Sequence, residues 1–389
     1  MSGSSAADTV WIDRARTVAD EWLRATAGDV DAAARFPHES VDALREADLL
    51  SVQVPVEMGG GGIGFQNLGR VVEELARGCA STALIYSMHQ IQVACLIRHA
   101  PPGPLQAYLA RLSNAAPLLA SVTSEVGTEG DIRMSLAAIK PRGKGQCLEK
   151  QAAVVSYGEF ADAFLITARR STESAAEDQV LVLCERSDVA LEKSGHWSTI
   201  GLRGTCSPPF KLRAVIATGH VFPQQFSEIL SQTMLPVSHA LWSSVWLGMA
   251  TEVFEMAKAF VQNRARRSVG MPRPEGARLA EVAIAHQQLT ALVHAATRRL
   301  DEAAPEEFAT INRQIESNAL KVAASNLLVE IVGKAMLIIG VAGYRTDGEY
   351  SLDRLLRDSY GANVMVNNDR ILASTSQLLL VSRSGQRGR

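Results

Sequence analysis

Residues 357–370, RDSYGANVMVNNDR, form a polar stretch near the end of the chain whose amide side chains could take part in chemistry. The stretch contains three asparagines: Asn363, Asn367 and Asn368. An amide donates and accepts hydrogen bonds, but it does not accept a proton at neutral pH, so it cannot replace a general base. The only carboxylates of the stretch, Asp358 and Asp369, lie near its ends. The pattern predicts a site that works through hydrogen bonding.

Two other segments have residue types that suit a ligand. SVTSEVGTEGD, residues 121–131, is a strand ending in hydroxyls, followed by glycines and Asp131. Hydroxyls and free N–H groups at a strand end can bind a polar heterocycle, whereas a plain hairpin turn needs no ligand, and both interpretations stay open. RARR, residues 264–267, follows a long helix. Its guanidinium groups either bind a diphosphate or form a solvated helix end.

Other conspicuous residues are better explained by structure. The four glycines at 59–62 lie between helical stretches and lack the spacing of a phosphate-binding loop, so they predict a turn. Three lone histidines on apolar helices are predicted to be hydrogen-bonded core residues: His89, His239 and His286. No group of His, Cys, Asp and Glu has metal-ligand spacing, so no metal site is predicted.

The elements that must position these residues follow an α–β–α order. The first ~115 residues have helical periodicity, with Val41, Leu44, Ala47 and Leu50 as one example. Short β-branched segments then predict strands: 118–126, 152–158, 162–170, 179–185 and 209–217. Ala- and Leu-rich segments predict long helices: 225–264, 276–300 and 306–339. We therefore expect a mainly α protein in three parts: 1–116 helical, 117–223 β and 224–389 helical.

Bulk composition limits the function classes. The chain has 389 residues, 47% of them hydrophobic, and can bury a large core. Its net charge of −2 gives no electrostatic case for binding nucleic acid or an acidic membrane. The longest apolar run, 235–250, is interrupted by Pro236 and several polar residues, and no membrane span is predicted. Five scattered cysteines without CxxC spacing read as reduced thiols, so we expect a cytoplasmic protein.

Four segments in register resemble the acyl-CoA dehydrogenase superfamily of flavoproteins, over about Phe36 to Leu380. ADLLSVQVPVEMGGGGIGF followed by VVEELARGCAS is similar to the N-terminal signature of that family. SVTSEVGTEGD resembles its flavin-contacting VTEPGAGSD stretch, and IGLRGTCSPPF resembles its LGxRGTxS turn. IIGVAGYRTDGEYSLDRLLRD is similar to its IxGGxGYxxEYPxxRxxRD helix pair. The resemblance implies an N-terminal helical domain, a small β barrel-like domain and a C-terminal four-helix bundle.

The resemblance also implies where a flavin would bind. FAD, with FMN as the alternative, would lie between the β domain and the bundle of a homodimer or homotetramer. Thr123, Ser124 and Ser156 would meet the flavin ring, and Gly130 stands where a serine usually bonds the cofactor. Arg266 matches an arginine that reaches the diphosphate across the subunit boundary, and the turn at Gly340 would approach the adenine side. With Val154 in place of tryptophan and Leu337 in place of glutamine, the resemblance implies a loosely held or exchanged cofactor.

The asparagine stretch departs from the family pattern. In ordinary members, a glutamate of the corresponding YEGTxEIQR segment removes the α-proton of an acyl thioester. Register on Arg370 places Asn363 at that glutamate. The family's other glutamate position, one bundle helix earlier, maps near Ser238, with His239 as its neighbour. Neither position therefore offers the usual carboxylate base. If the chain keeps the family reaction, His239 or an unrecognised acid would be the base.

Three functions fit this pattern. The first is FAD-dependent α,β-oxidation of an acyl thioester carried by CoA or a carrier protein, with an electron-transfer flavoprotein as partner. The second is a flavin-dependent monooxygenase of the same fold, which needs no α-proton base and takes reduced flavin from a reductase. The third is a non-catalytic flavin- or acyl-binding subunit. The family's commonest reaction favours the first, and Asn363 with the small Val154 favours the second.

Overall fold

The computed structural model describes residues 6–267 and 275–382. Its first part is helical, and a π-helical turn at Ala19–Leu23 joins the first two helices. The helices are α1 (Ala6–Val18), α2 (Arg24–Ala33), α3 (His38–Glu46), α4 (Phe65–Gly78), α5 (Ala80–His99) and α6 (Pro104–Ala115). Leu68, Val71, Val72 and Leu75 recur at helical spacing on α4 and are fully buried, and α4 packs against the C-terminal bundle. The helical periodicity predicted for the first ~115 residues is thus divided among six α-helices.

Seven strands follow and form two adjoining sheets. They are β1 (Leu119–Val122), β2 (Lys140–Arg142), β3 (Gly145–Ala152), β4 (Ala163–Arg169), β5 (Gln179–Glu185), β6 (Val189–Lys193) and β7 (Phe210–Ile216). One sheet has the order β1-β4-β5, in which β1 runs parallel to β4 and Leu119 pairs with Ala163. The other has the antiparallel order β2-β3-β7-β6. Burial alternates along β7, so the second sheet buries one face in the core. Strands β4 and β5 of the first sheet are buried on both faces.

The predicted strand at 152–158 is wrong for all but its first residue. The strand lies earlier, at β3, whose sequence GQCLEKQA has few β-branched residues and buries Lys150 among its inward positions. A charged inward residue hides the apolar alternation that marks a strand. After β3 the chain turns away, with Tyr157 at a φ of 44°. Strands β2 and β6 were also absent from the sequence-based prediction, because both are short and largely exposed.

The last part is a helical bundle. Its helices are α7 (Phe226–Ile229), α8 (Leu235–Arg267), α9 (Glu275–Glu302), α10 (Ile311–Ile339), α11 (Val341–Tyr344), α12 (Asp353–Val364) and α13 (Asn368–Val381). Helix α10 is long and apolar enough to cross a bilayer by length and composition alone. In this fold it packs against α8, α9, α12 and α13, as the central helix of a bundle does. The predicted α–β–α fold class is confirmed, and the predicted limits at 116/117 and 223/224 fall in the connecting segments.

Candidate functional site

The asparagine stretch forms the end of α12, a turn and the start of α13. Asn363 lies in the last turn of α12, and Val366 in the connecting turn has a φ of 51°. Asn363 Nδ2 donates to Asn326 Oδ1 on α10 at 3.2 Å. Asn363 Oδ1 is buried and has no hydrogen-bond partner among the described residues. A buried acceptor without a partner is unusual, because most such atoms are hydrogen-bonded in folded proteins.

Two charged residues hold α12 against the rest of the chain. Arg357 Nη1 donates to Asp31 Oδ1 on α2 at 3.0 Å. Asp358 is buried, its Oδ1 accepts from the backbone N–H of Leu202 at 2.6 Å, and burial raises its pKa to about 6. At Gly201 a Cβ would lie 2.3 Å from the Arg357 carbonyl oxygen, so only glycine allows this approach. Asp358 is thus engaged by Leu202, and it anchors the helix that carries Asn363.

A buried lysine lies behind the asparagine turn. Lys321 on α10 is fully buried, and its ammonium donates to Val366 O and to Asn368 Oδ1, each at 2.7 Å. Its Nζ also lies 5.7 Å from the Trp246 ring centre. Burial lowers its pKa to about 8. The turn between α12 and α13 is therefore fixed to α10 by a cation that is bonded to oxygens of neutral groups.

The other two asparagines have distinct structural roles. Asn367 caps α13, because its side-chain oxygen accepts from the backbone N–H of Asp369 at 2.8 Å. Asn368 Nδ2 donates to Ser325 Oγ at 3.0 Å and to Asn326 Oδ1 at 3.4 Å. Asn368 therefore links Lys321 to the amide that bonds Asn363.

Helix α8 contributes the predicted substitute base. His239 is buried, and its Nδ1 lies 2.9 Å from the carbonyl oxygen of Ser317, so it donates its proton there. Burial lowers the pKa of His239 to about 4, and the nearby Lys321 charge acts in the same direction. Its neighbour Ser238 donates to the carbonyl oxygen of Met234, in the π-helical turn just before α8, at 2.5 Å. His239 is therefore a neutral core imidazole, and the Ser238 hydroxyl is engaged by the backbone.

The predicted flavin-contacting hydroxyls lie at the end of β1. Ser124 Oγ donates to Val154 O at 2.7 Å and accepts from Val154 N at 3.0 Å, which joins this strand end to the segment after β3. In that segment, Ser156 Oγ lies 2.9 Å from Ser207 Oγ, while half-buried Thr123 precedes Ser124. Val154 is 44% exposed. An open apolar side chain flanked by hydroxyls fits the face and polar edge of a flavin ring, so these residues suit the implied cofactor.

A buried ion pair supports this strand end from behind. Glu125 Oε2 lies 3.5 Å from Lys150 Nζ, and both side chains are almost fully buried. The carboxylate also accepts from Ser135 Oγ at 2.7 Å and from the backbone N–H of Ala137 at 2.7 Å. Burial lowers the pKa of Lys150 to about 8, although Glu125 opposes this shift. The pair fixes the residue next to Ser124 in the β domain.

Arg370 brings the two halves of the site together. Its guanidinium on α13 donates to the backbone carbonyl of Glu129. A Cβ added at Gly130 would lie 2.8 Å from Arg370 Nη1, and Gly130 has a φ of 77°. The arginine thus lies where a serine side chain would project, which accounts for glycine at this family position. The loop of Thr123 and Ser124 and the segment of Asn363 therefore meet through one contact.

The two residues predicted to serve the diphosphate lie at another end of the bundle. Arg266 is exposed near the end of α8, and Gly340 ends α10 with a φ of 68° and open space around it. Tyr350 connects these regions, since its hydroxyl accepts from Asn263 Nδ2 at 2.8 Å. Along α10, Gly340 lies about 21 Å from the level of Asn326, at 1.5 Å per residue. Within one chain, Arg266 and Gly340 are thus apart from the ring-side residues, and their cofactor roles stay predictions.

Sequence reasoning missed the residues that support the site. Lys321, Asn326 and Lys150 were not predicted, and neither was the pairing of Glu125. One signal was present: Lys321 is a lone cation at helical spacing from Ala324 and Leu328, on the apolar face of α10. A charge on such a face requires a buried partner. Its partner lies 47 residues further along the chain, which no local pattern reveals.

Comparison with known proteins gives the family. The family described as acyl-CoA dehydrogenase, N-terminal domain, matches residues 6–115, and its C-terminal domain matches residues 230–365, together more than half of the chain. Cyclohex-1-ene-1-carbonyl-CoA dehydrogenase of Syntrophus aciditrophicus is 24% identical over 92% of this chain and 86% of its own length.

Two solved structures have the same fold at low identity. FMN-bound TdsC from Paenibacillus sp. A11-2 has a TM-score of 0.83 at 19% identity, covering 96% of this chain and 98% of its own. The methanesulfinate monooxygenase MsuC from Pseudomonas fluorescens has a TM-score of 0.80 at 21% identity, covering 95% and 96%. The chain belongs to the acyl-CoA dehydrogenase family and is a flavin-dependent oxidoreductase of that fold.

Proposed function

We propose that this protein is a flavin-dependent monooxygenase that acts on a small molecule other than an acyl thioester. One observation carries the proposal: the side chain at the position of the usual base is the amide of Asn363, whose oxygen is buried and unpartnered among the described residues. General-base catalysis contributes roughly 10²–10⁴-fold to a proton abstraction. Oxygen insertion needs no such base at the α-carbon.

The substitute base that the sequence suggests is poorly suited to its task. His239 donates through Nδ1 to Ser317 O, and its buried imidazole has a pKa lowered to about 4. Proton uptake would create a cation in the core close to the Lys321 ammonium. That unfavourable interaction supports a reaction in which His239 stays neutral.

The residues around the proposed site hold and orient the reactants. Thr123, Ser124 and Ser156 would bind the polar edge of the ring, while the small Val154 leaves space over its face. A reduced flavin held here would supply the two electrons with which molecular oxygen gives one oxygen atom to the substrate and releases the other as water. The Glu125–Lys150 pair keeps the strand end rigid. We propose a flavin reductase as the partner that supplies reduced cofactor.

Dehydrogenation of an acyl thioester is the second candidate. The curated relative at 24% identity is named a CoA-ester dehydrogenase, which favours this reaction. The Nε2 atom of His239 would then take the α-proton, and an electron-transfer flavoprotein would accept the electrons. Because the family assignment makes the chain a flavin-dependent enzyme, we drop the non-catalytic alternative.

Anaerobic mixing separates the two candidates. Oxidised holoprotein is mixed with saturated acyl-CoAs of graded chain length, and the flavin absorbance is followed. The monooxygenase proposal expects no bleaching in wild-type protein. It also expects Asn363→Glu to gain bleaching, whereas the equally long Asn363→Gln does not. Bleaching of the wild type by any member of the series would overturn the proposal and support dehydrogenation.

A second experiment tests oxygen insertion directly. The holoprotein is incubated with chemically reduced flavin, ¹⁸O₂ and a panel of sulfur- and nitrogen-containing ring compounds. The masses of the products are then determined by mass spectrometry. We expect one ¹⁸O atom in a product that is absent without protein. If the flavin is only reoxidised and no compound gains ¹⁸O, the proposal fails for this panel.

We further propose that FAD is the native cofactor and that a homodimer or homotetramer completes its site. Arg266 is exposed and distant from the ring-side residues, which suits a contact with the diphosphate of a flavin bound by a second copy. Arg266→Ala should weaken FAD binding about tenfold and FMN binding little, because FMN lacks the second phosphate. Equal losses for both flavins, measured by fluorescence titration, would contradict this role.

A further inference from the structure

A continuous line of hydrogen bonds runs from Lys321 to Asn363. Lys321 Nζ donates to Asn368 Oδ1 at 2.7 Å. Asn368 Nδ2 donates to Asn326 Oδ1 at 3.4 Å and to Ser325 Oγ at 3.0 Å. Asn363 Nδ2 also donates to Asn326 Oδ1, at 3.2 Å. We call these four residues, Lys321, Asn368, Asn326 and Asn363, the amide relay.

The lysine determines the direction of the first link. An ammonium has three donors and no acceptor, whereas each amide has one donor end and one acceptor end. Asn368 must therefore turn its oxygen towards Lys321, because its NH₂ group there would oppose the ammonium donor. With its oxygen so engaged, Asn368 presents its NH₂ group to Ser325 and Asn326.

The same reasoning carries the direction to the end of the relay. Asn326 faces a donor from Asn368, so it presents its oxygen on this side. Asn363 meets that oxygen and must turn its NH₂ group towards it. The carbonyl oxygen of Asn363 is then the free end, and it is buried without a partner among residues 6–267 and 275–382. The orientation of the Asn363 amide is thus determined by the Lys321 cation, through the two intervening amides of Asn368 and Asn326.

We infer that Lys321, Asn368 and Asn326 are positioning residues that hold the Asn363 oxygen as a hydrogen-bond acceptor for the substrate. The site therefore selects substrates that carry an N–H or O–H donor beside the reacting atom. This inference rests on the proposed function, because it takes Asn363 as part of the substrate site.

The selectivity expected of such a site is substantial. A buried acceptor left unpaired by a donor-free ligand disfavours that ligand strongly, since the group has lost its contact with water. We expect about tenfold tighter binding, or more, for a donor-bearing molecule than for a donor-free molecule of the same shape. Purely apolar contacts would not distinguish the two.

The experiment measures binding without turnover. Oxidised holoprotein is titrated by calorimetry with two matched pairs of probes, indole with benzothiophene and phenol with fluorobenzene. In each pair the ring shape is kept and only the first member has a donor. Wild-type protein should prefer the donor-bearing member of at least one pair by about tenfold. If neither pair is separated, the inference is overturned.

Variants of Asn326 test the direction of the relay. Asn326 is exposed, so substitution there should leave the fold intact. Asn326→Asp keeps an acceptor for Asn363 Nδ2 and should retain the donor preference. Asn326→Lys offers only donors, so Asn363 must turn its oxygen inward and the preference should vanish. If Asn326 had a purely structural role, its substitution would weaken the binding of both members of a pair alike. An equal preference for the donor-bearing probe in the two variants would reject the relay.

This test fails separately from the proposed function. Acyl-CoA bleaching and ¹⁸O incorporation report the reaction, whereas the probe pairs report the orientation of one amide. A protein that inserts oxygen but shows no donor preference would reject the relay alone.

Discussion

Two buried lysines lie behind the two halves of the site, and their surroundings differ. Lys150 in the β domain has a carboxylate partner, Glu125 Oε2, at 3.5 Å. Lys321 in the bundle donates to a carbonyl and an amide oxygen, those of Val366 and Asn368. Burial lowers the pKa of both lysines to about 8. The same residue type, with the same shift, is thus used with a counter-charge in one half and with amides in the other.

The difference separates rigidity from orientation. Glu125 receives hydrogen bonds from a hydroxyl and two backbone N–H groups, and it forms an ion pair with Lys150, whose ammonium also donates to the carbonyl and hydroxyl oxygens of Thr167. These contacts lock the loop. Both oxygens of a carboxylate accept hydrogen bonds, so a carboxylate does not determine which way a neighbouring amide faces. Amides have a donor and an acceptor end, so the Lys321 cation determines how each successive amide faces. The first arrangement holds the loop that follows β1, and the second would orient the side chain of Asn363 as proposed above.

Removing the two lysines one at a time should give the largest difference in unfolding free energy between the two regions. Lys150→Met leaves the Glu125 carboxylate buried without its counter-charge, and we expect a loss of about 3–5 kcal/mol in the free energy of unfolding. Lys321→Met leaves only neutral acceptors unpaired, so about 1–3 kcal/mol is expected. Denaturant unfolding of both variants with flavin removed gives the values.

A double variant serves as the control. Lys150→Met combined with Glu125→Gln removes both charges and should recover part of the loss, because no uncompensated carboxylate remains. Equal losses for the two single lysine variants would show that the counter-charge in the β domain has no particular importance.

The sequence predicts the fold class, and it draws attention to the asparagine stretch, but it does not predict the residues that support that stretch. The α–β–α order and the asparagine stretch follow from periodicity and residue type, because both are local properties. The polarity of the relay depends on Lys321, which bonds Asn368 across 47 positions of the chain. Such a contact depends on how the helices pack. In the sequence it is indicated only indirectly, by a cation on the apolar face of a helix.

The missed strand has the same physical cause. β3 was overlooked because Lys150 occupies one of its inward positions, and an inward charge breaks the alternation that predicts a strand. Once Glu125 is known as its partner, the inward position of Lys150 is explained, because the buried charge is compensated. Sequence patterns fail where a buried charge has a partner far along the chain. Lys150 has the carboxylate of Glu125 as that partner, and Lys321 has the amide of Asn368.

Two buried serines offer a matched pair with a smaller effect. Ser135 donates to the Glu125 carboxylate at 2.7 Å, and Ser325 accepts from the neutral Asn368 amide at 3.0 Å. Hydrogen bonds to charged groups contribute about 1.5–3 kcal/mol and neutral ones about 0.5–1.5 kcal/mol. Ser135→Ala should therefore lower the unfolding free energy more than Ser325→Ala. The opposite order in denaturant unfolding would contradict the assignment of a buried carboxylate to the first region only.

The last expected effect is a pH dependence specific to Lys321, which is small per pH unit. Its pKa is lowered from 10.5 to about 8 in the folded protein, so between these values the unfolded chain holds a proton that the folded chain has released. Rising pH destabilises the state that binds more protons, which here is the unfolded chain. The unfolding free energy of wild-type protein should therefore increase relative to that of Lys321→Met from about pH 8 to about pH 10.5.

Only the difference between wild type and variant isolates this group. Burial raises the pKa of the thiols of Cys95 and Cys184 to about 12, so they oppose the trend in both proteins equally. The gain cannot exceed about 1.4 kcal/mol per pH unit, the limit for one proton. Urea unfolding of both proteins across this range measures it. A constant difference would mean that Lys321 keeps its proton throughout this range, and it would contradict the lowered pKa.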